Sequence, residues 1–380
     1  MNSCQFTHWI AGRPRFGAHS IGFALADGNG GELRFPRGGA NEWEVACTLA
    51  MQPRAPSERE QAWSMLRHAA WSLRQDSALC EQVALSLGLS PAEAREWLDA
   101  DLFCLEQALE MLREGAQGPS RGIGVFVAHW SDGIGRLGAR LARSILAGEP
   151  LILLGDPRLP WGAQALAKNL FMAGLDDNAL ALLWDDTWTL RRCALGDPRC
   201  SWYRSAGTGM DLERTRQHAR AGLELGLWEM RNRSLALPDD FEPAQAAESV
   251  LEQAVGRAVT LSGQAPGQVA RVACPERRFA AFTEALLARL EQFDPRSPMR
   301  GLEPDFSSDL EAAWQLALDE GASPIHGEPG GLLPLVVTNV DCRQRLVRER
   351  RPRPMLSLIR TPNAAAATEL CFQLDAAVDS

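Results

Sequence analysis

The cysteine thiols are the most reactive side chains in this sequence, yet their spacing does not gather them into a site. Nine cysteines are spread along the chain without a Cys-x-x-Cys pair: Cys4, Cys47, Cys80, Cys104, Cys193, Cys200, Cys274, Cys342 and Cys371. A zinc knuckle or a disulfide framework needs closely spaced pairs or a regular set. We therefore expect no metal site and interpret the cysteines as buried, reduced core residues.

A second candidate is the segment His129-Trp130-Ser131-Asp132, which contains the three side-chain types of a serine-hydrolase triad. Such a triad is recognised by the geometry of residues that the fold brings together. One short turn has no supporting spacing, so we favour a role on a loop surface over a nucleophilic role for this serine.

Composition limits the function classes that these residues could serve. The chain has 380 residues, 46% of them hydrophobic and 23% charged, which suggests a soluble globular protein of two domains. Its formal charge of -9 offers no general attraction to nucleic acid or to an anionic membrane. The sequence start lacks a signal-peptide pattern, and no apolar run is long enough to span a bilayer, so we expect a cytoplasmic protein.

The first half of the sequence contains the elements that would position a site. The first 40 residues alternate around glycine-rich turns and predict β-hairpins. Capping boxes at Ser57 and Ser90 then open two helices. From Gly122, short apolar strands alternate with amphipathic helices as far as residue 186, which predicts a βαβαβ unit with a parallel sheet. After a polar turn at 205–209, a helix and a short strand, LWEM, follow.

The second half predicts another α/β unit. A helix over DDFEPAQAAESVLEQAVG precedes the strand GQVARVAC, the helix RRFAAFTEALLARLEQF, the strand LLPLVVTNV and a final helix near the end. The fold class is therefore α/β with two domains.

The order of these segments resembles the aldehyde dehydrogenase superfamily, most closely its succinylglutamate-semialdehyde dehydrogenase branch. AGEPLILLGDPRLPWGAQAL is similar to the family segment ending in KPSE-x-TP, WEMRNRS to ELGGK or EMGGN, LSGQAP to the AGQxC turn, and GGLLPLVV to FGPLLPV. The resemblance implies a Rossmann-type parallel-sheet domain with N-terminal hairpins and helices over 1–228, followed by a shortened catalytic-like α/β domain over 229–380.

The resemblance also implies where the reacting groups should be. In this family a cysteine thiolate attacks the aldehyde, amide donors hold the oxyanion and a glutamate activates water. Pro266 stands at the nucleophile position, and proline offers no thiol, no hydroxyl and no backbone N–H. Glu229 retains the general-base position, which we expect to be idle, although Arg231 and Asn232 replace the two glycines beside it. Ser131 replaces the oxyanion asparagine, and Cys274 is expected to be an ordinary core cysteine.

The implied cofactor positions are altered too. Leu154 replaces the lysine that holds the adenosine ribose, with Asp156 nearby, which disfavours NADP. Arg204 replaces a glycine that lets backbone approach the pyrophosphate, and its bulk is expected to intrude there. Ser205, Gly209 and Glu328 match vestigial cofactor-binding positions. The expectation is therefore no tightly bound cofactor, with weak NAD binding as the open possibility.

Family members continue well beyond the position that corresponds to Ser380, so the resemblance predicts a shortened second domain whose apolar surface a protein partner or a second copy covers. The leading hypothesis is a catalytically inactive homologue with a scaffold, regulatory or partner-binding role. The alternative is an NAD-dependent oxidoreductase that acts on an aldehyde or semialdehyde with a non-standard site. Neither hypothesis involves nucleic acid or a membrane.

Overall fold

The structure is a computed structural model in which the chain divides into two compact units, Met1–Glu229 and Met230–Ser380. It describes residues 6–15, 20–24, 32–53, 59–87, 89–112, 122–157, 160–184, 188–256, 263–292, 306–329 and 334–376. Among these residues, no helix is long and apolar enough to cross a membrane.

The first unit is built on a seven-stranded sheet in the order β2-β1-β7-β6-β5-β8-β9. Its strands are β1 (His8–Ile10), β2 (Arg13–Arg15), β5 (Ile123–Val127), β6 (Leu151–Gly155), β7 (Leu180–Trp184), β8 (Cys200–Gly207) and β9 (Glu224–Glu229). Strands β5 to β9 are mutually parallel, while β1 is antiparallel to β7. A separate hairpin joins β3 (Ser20–Ala24) to β4 (Glu32–Pro36).

Helices of the first unit are α1 (Ala40–Ala50), α2 (Arg59–Gln75), α3 (Ser77–Leu87), α4 (Pro91–Leu112), α5 (Gly135–Leu146), α6 (Pro160–Met172), α7 (Thr189–Gly196) and α8 (Gly209–His218). Ser90 opens α4 through the predicted capping box, because its N–H donates to Glu93 Oε2 at 2.7 Å and its Oγ accepts from Glu93 N at 3.3 Å. Every residue of β5, β6 and β7 is buried. The predicted βαβαβ unit is therefore confirmed.

The start of α5 is held by a carboxylate from α4. Asp101 accepts hydrogen bonds from the backbone N–H groups of Ile134 and Gly135 at 2.6 Å and of Arg136 at 3.2 Å. A β-carbon on Gly135 would lie 1.9 Å from the Asp101 carbonyl oxygen, so only glycine permits this approach. The contact sets the position of the loop between β5 and α5.

The second unit has a five-stranded sheet in the order β10-β11-β14-β13-β12. Its strands are β10 (Arg233–Ala236), β11 (Val269–Pro275), β12 (Ser323–His326), β13 (Leu335–Thr338) and β14 (Met355–Thr361). Its helices are α9 (Pro243–Val255), α10 (Glu276–Gln292), α11 (Phe306–Asp319), α12 (Arg345–Arg348) and α13 (Ala364–Ala376). All neighbouring strands are parallel except the pair β12 and β13. Both units thus have the predicted α/β class.

Candidate functional site

Strand order identifies one crevice in the first unit. The sheet runs β7-β6-β5 in one direction and β8-β9 in the other, so the chain order reverses between β5 and β8. Ligands of open parallel sheets bind at the carboxyl ends of strands at such a switch point. Here the two strands lead into Ala128–Asp132 and into Thr208-Gly209.

The turn between β8 and α8 has the composition of an anion-binding helix start. Gly207 ends the strand, Thr208 caps the helix with its Oγ accepting from Asp211 N at 3.5 Å, and the exposed Gly209 is the first helical residue. A β-carbon on Gly209 would lie 3.6 Å from Glu229 Oε1. The Glu229 carboxylate therefore lies beside the positive end of the helix dipole, where an anionic ligand would also be favoured.

Arg204 and Ser205 lie inside β8 and not in this turn. Ser205 pairs with Val127 and Leu227 in the sheet and is buried, so the structure does not place it beside the helix start that contains Gly209. Arg204 lies over the ring of Trp202 at 4.4 Å. The strand continues three residues beyond Arg204, so Arg204 lies outside the turn. The expectation that its bulk would intrude on a bound pyrophosphate stays a prediction.

The segment after β5 forms a 3-10 turn with local contacts. His129 Nδ1 lies 2.7 Å from Ser131 Oγ, and the carboxylate of Asp132 accepts from the His129 backbone N–H at 2.9 Å. That carboxylate also pairs with Arg140. Ser131 and Asp132 are both buried, which corrects the predicted position on a loop surface. Asp132 contacts main chain and an arginine, and these contacts stabilise the turn.

Two residues at the end of β6 bear on cofactor choice. Leu154 is 1% exposed and packs in the core, so it supplies no cation. The buried Asp156 accepts a hydrogen bond from the Trp130 backbone N–H at 2.8 Å and thereby joins the loops that follow β5 and β6. The Asp156 carboxylate at this strand end disfavours the 2′-phosphate of NADP.

In the second unit, the turn Gly263–Gln268 precedes β11 and contains the half-buried Pro266. Gly263 has φ of 84°, and a β-carbon there would lie 2.8 Å from Pro354 Cα. The N–H of Gly267 donates to the Arg231 carbonyl at 2.7 Å. The turn is well anchored, but Pro266 offers neither a nucleophile nor an N–H donor.

Cys274 is not a replacement for the missing thiol. It lies in β11, is fully buried, and its burial raises the pKa of the thiol to about 12. A thiol with so high a pKa is protonated near neutral pH and is a poor nucleophile. Cys274 is therefore the core residue that the sequence predicts.

Glu328 is exposed and follows β12, which is separated from β11 by β14 and β13. Three strand spacings correspond to about 14 Å. The segment that contacts the turn is instead 349–354, since Gln268 Nε2 donates to the Arg353 carbonyl at 2.8 Å. The structure does not bring Glu328 to the Pro266 turn, and the role that the resemblance implies for it stays a prediction.

Sequence analysis missed the arginine contacts that hold the segment before β14. The buried guanidinium of Arg271 donates to the carbonyl oxygen of Val347 at 3.0 Å and to that of Glu349 at 3.2 Å. The only signal was an arginine-rich run, RERRPRP, in a stretch otherwise typical of a loop. Among the described residues, no group of three or more histidine, cysteine, aspartate or glutamate side chains could hold a metal ion.

No family model matches the chain. A protein of Staphylococcus haemolyticus, named "Putative aldehyde dehydrogenase SH0913", is 24% identical over 312 residues, or 77% of this chain and 64% of that protein. A "Putative aldehyde dehydrogenase" of Staphylococcus aureus strain MSSA476 is 23% identical over 300 residues, or 74% of this chain and 62% of that protein. The chain thus spans less than two thirds of the length of these relatives.

Solved structures with the same fold include a NAD-dependent benzaldehyde dehydrogenase from Corynebacterium glutamicum, with a TM-score of 0.80, 15% identity, and coverage of 96% of this chain and 86% of that chain. A succinate-semialdehyde dehydrogenase from Burkholderia pseudomallei has a TM-score of 0.82, 18% identity, and coverage of 96% and 82%. The fold is therefore aldehyde dehydrogenase-like. The relatives and the solved structures support the resemblance to the aldehyde dehydrogenase superfamily, while the narrower succinylglutamate assignment stays a prediction.

Proposed function

We propose that this chain is an NAD-binding oxidoreductase of the aldehyde dehydrogenase type that works without a thiol nucleophile. The observation that carries the proposal is the start of α8 at the switch point between β5 and β8, with Gly207, Thr208 and Gly209 in the turn. Glycines allow close approach of a diphosphate, and the helix start favours its negative charge. The kinship with aldehyde dehydrogenases supports the same function.

Gly209 favours binding of the dinucleotide at this helix start, whereas Glu229 opposes it. The exposed Gly209 has no side chain to obstruct the backbone of the first helical turn. The nearby Glu229 carboxylate repels a diphosphate, so binding requires this side chain to move away from the helix start. NAD, when bound, would accept a hydride from the substrate. Leu154 and Asp156 favour NAD over NADP.

Without a thiol, the chain forms no covalent adduct with an aldehyde at Pro266. A hydrated aldehyde needs no such adduct, because its gem-diol already carries the oxygen that the product acid requires. Glu229 is half-buried at the end of β9 and would accept the proton of one diol hydroxyl. The substrate class is accordingly an aldehyde or semialdehyde that is appreciably hydrated in water.

A second candidate is an inactive homologue with a scaffold, regulatory or partner-binding role, acting in the cytoplasm with a protein partner or as a homo-oligomer. Pro266 favours it, because the anchored turn that contains it offers no reactive group. The two candidates predict different behaviour toward cofactor and substrate.

Calorimetric titration of the purified chain with NAD⁺ and with NADP⁺ separates these candidates. The proposal expects sub-millimolar binding of NAD⁺, weaker binding of NADP⁺ and slow NADH formation with a hydrated semialdehyde. Binding of NAD⁺ without turnover on any aldehyde would favour a dinucleotide-dependent regulatory role. Absence of binding for both dinucleotides would overturn the proposal and leave the inactive homologue.

A further inference from the structure

Four arginines of the second unit lie close together, and described carboxylates pair with three of them. The cluster contains four arginines: Arg271, Arg350, Arg351 and Arg353. Three carboxylates pair with it, in contacts of 2.6 to 3.1 Å: Asp375 with Arg271, Asp309 with Arg351 and Arg353, and Glu349 with Arg353. Arg350 is the member that has no ion pair within the described part of the chain.

The side chain of Arg350 is also largely shielded from solvent. The residue is 9% exposed, and its Nη1 is buried without a hydrogen-bond partner among the described residues. A buried charge without a partner is strongly unfavourable, since it has lost its hydration and gained nothing in exchange. Such groups call for an explanation, and a bound anion is a direct one.

Two further orphan atoms lie on segments that contact the segment of Arg350. Asn232 donates from its backbone N–H to the Arg350 carbonyl at 2.7 Å, and its own Oδ1 is buried without a partner. Gln268 donates through Nε2 to the Arg353 carbonyl, while its Oε1 is likewise buried and unpaired. These two oxygens can accept bonds from a hydroxyl or an amino group of a ligand.

We propose that Arg350, with Asn232 and Gln268, forms a binding site for a small organic anion that carries a carboxylate or a phosphate. The guanidinium offers a planar pair of donors that matches either group. The two amide oxygens select ligands that also have a hydrogen-bond donor, such as a hydroxy acid or a sugar phosphate. The site lies in the second unit alone and does not depend on the proposed NAD binding.

The test compares purified wild-type protein with Arg350→Met and with Arg343→Met, an exposed control that removes the same charge. Melting temperature and calorimetric binding are measured with malate, with glycerol phosphate and with sodium chloride at equal ionic strength. We expect malate, glycerol phosphate or both to raise the melting temperature by several degrees and to bind the wild type and the control at least tenfold more tightly than Arg350→Met.

The two anions distinguish a carboxylate ligand from a phosphate ligand. A melting temperature of Arg350→Met that equals or exceeds that of the wild type without added anion would support the site, because it marks the buried charge as unfavourable in the free protein. Equal effects of both anions and of sodium chloride would overturn the proposal, as would undiminished binding to Arg350→Met. A large loss of stability in Arg350→Met without anion would show a structural arginine and overturn it too.

Discussion

The carboxylate of Glu229 lies beside Gly209 at the first turn of α8, with Oε1 3.6 Å from the place that a β-carbon of Gly209 would take. In the proposed function this carboxylate lies where NAD would place its diphosphate, so the two anions would compete for the same helix start.

Glu229→Gln should therefore bind NAD⁺ more tightly, by about fivefold, since removing one nearby negative charge at a helix start changes binding by about 1 kcal/mol. The same variant should lose NADH formation if Glu229 accepts the proton of the substrate. Glu224→Gln, at the exposed start of the same strand, is the control and should change neither quantity. Weaker NAD⁺ binding in Glu229→Gln would contradict this competition.

Gly263→Ala should lower the free energy of unfolding by about 3 kcal/mol, because alanine is strained at φ of 84° and its β-carbon would collide with Pro354 Cα. Gly267→Ala is the matched control. Gly267 has a φ of 80° but no atom within 4 Å of the added carbon, so we expect a loss of about 1 kcal/mol. Chemical denaturation of both variants measures the difference, and equal losses would show that Pro354 yields.

Pro266→Cys should introduce a thiol that iodoacetamide labels in the native protein, because the position is only half-buried. Mass spectrometry of tryptic peptides reports the labelled residue. Cys274 should remain unlabelled at pH 8 in the same sample, since its pKa of about 12 keeps it protonated in the core. If iodoacetamide labels Cys274 before it labels the new thiol at position 266, the burial described for β11 is contradicted.

The stability of the first unit should fall as the pH drops from 6.5 toward 4. Desolvation lowers the pKa of the buried His8 to about 4, so the unfolded chain takes up a proton in this window while the folded chain does not. The full shift corresponds to about 3 kcal/mol. His8→Gln should flatten the pH dependence of the free energy of unfolding, whereas His68→Gln, at an exposed position, should leave its slope unchanged.

Local patterns were enough to predict the parallel core of the first unit. Strands β5, β6 and β7 are short apolar runs between amphipathic helices, and this pattern has a single common structural solution. The extent of β8 was not predicted, because the glycines of SAGTG indicate a turn over residues that the sheet holds as a strand. Pairing of Arg204 and Ser205 with two neighbouring strands outweighs that local preference.

The candidate site in the second unit depends on the order of the strands in the sheet, and local sequence patterns do not reveal that order. Strand β14 inserts between β11 and β13, and it brings the segment before it to the Pro266 turn. Sequence reasoning had assigned a cofactor role to Glu328, in a segment that follows the more distant β12. The ion pairs of the neighbouring arginines likewise depend on long-range partners, because Asp375 reaches Arg271 and Asp309 reaches Arg353 only in the fold.

The segment before β14 is held by its main chain. Side-chain nitrogens of Asn232, Gln268 and Arg271 donate to the carbonyl oxygens of residues 347, 349, 351 and 353. The backbone N–H of Asn232 donates to the carbonyl oxygen of Arg350. Carbonyl groups are common to every amino acid, so these bonds do not depend on which side chains the segment carries, whereas the ion pairs of Arg351 and Arg353 with Asp309 do. Evolution can therefore exchange its side chains for a new ligand while the scaffold keeps its shape.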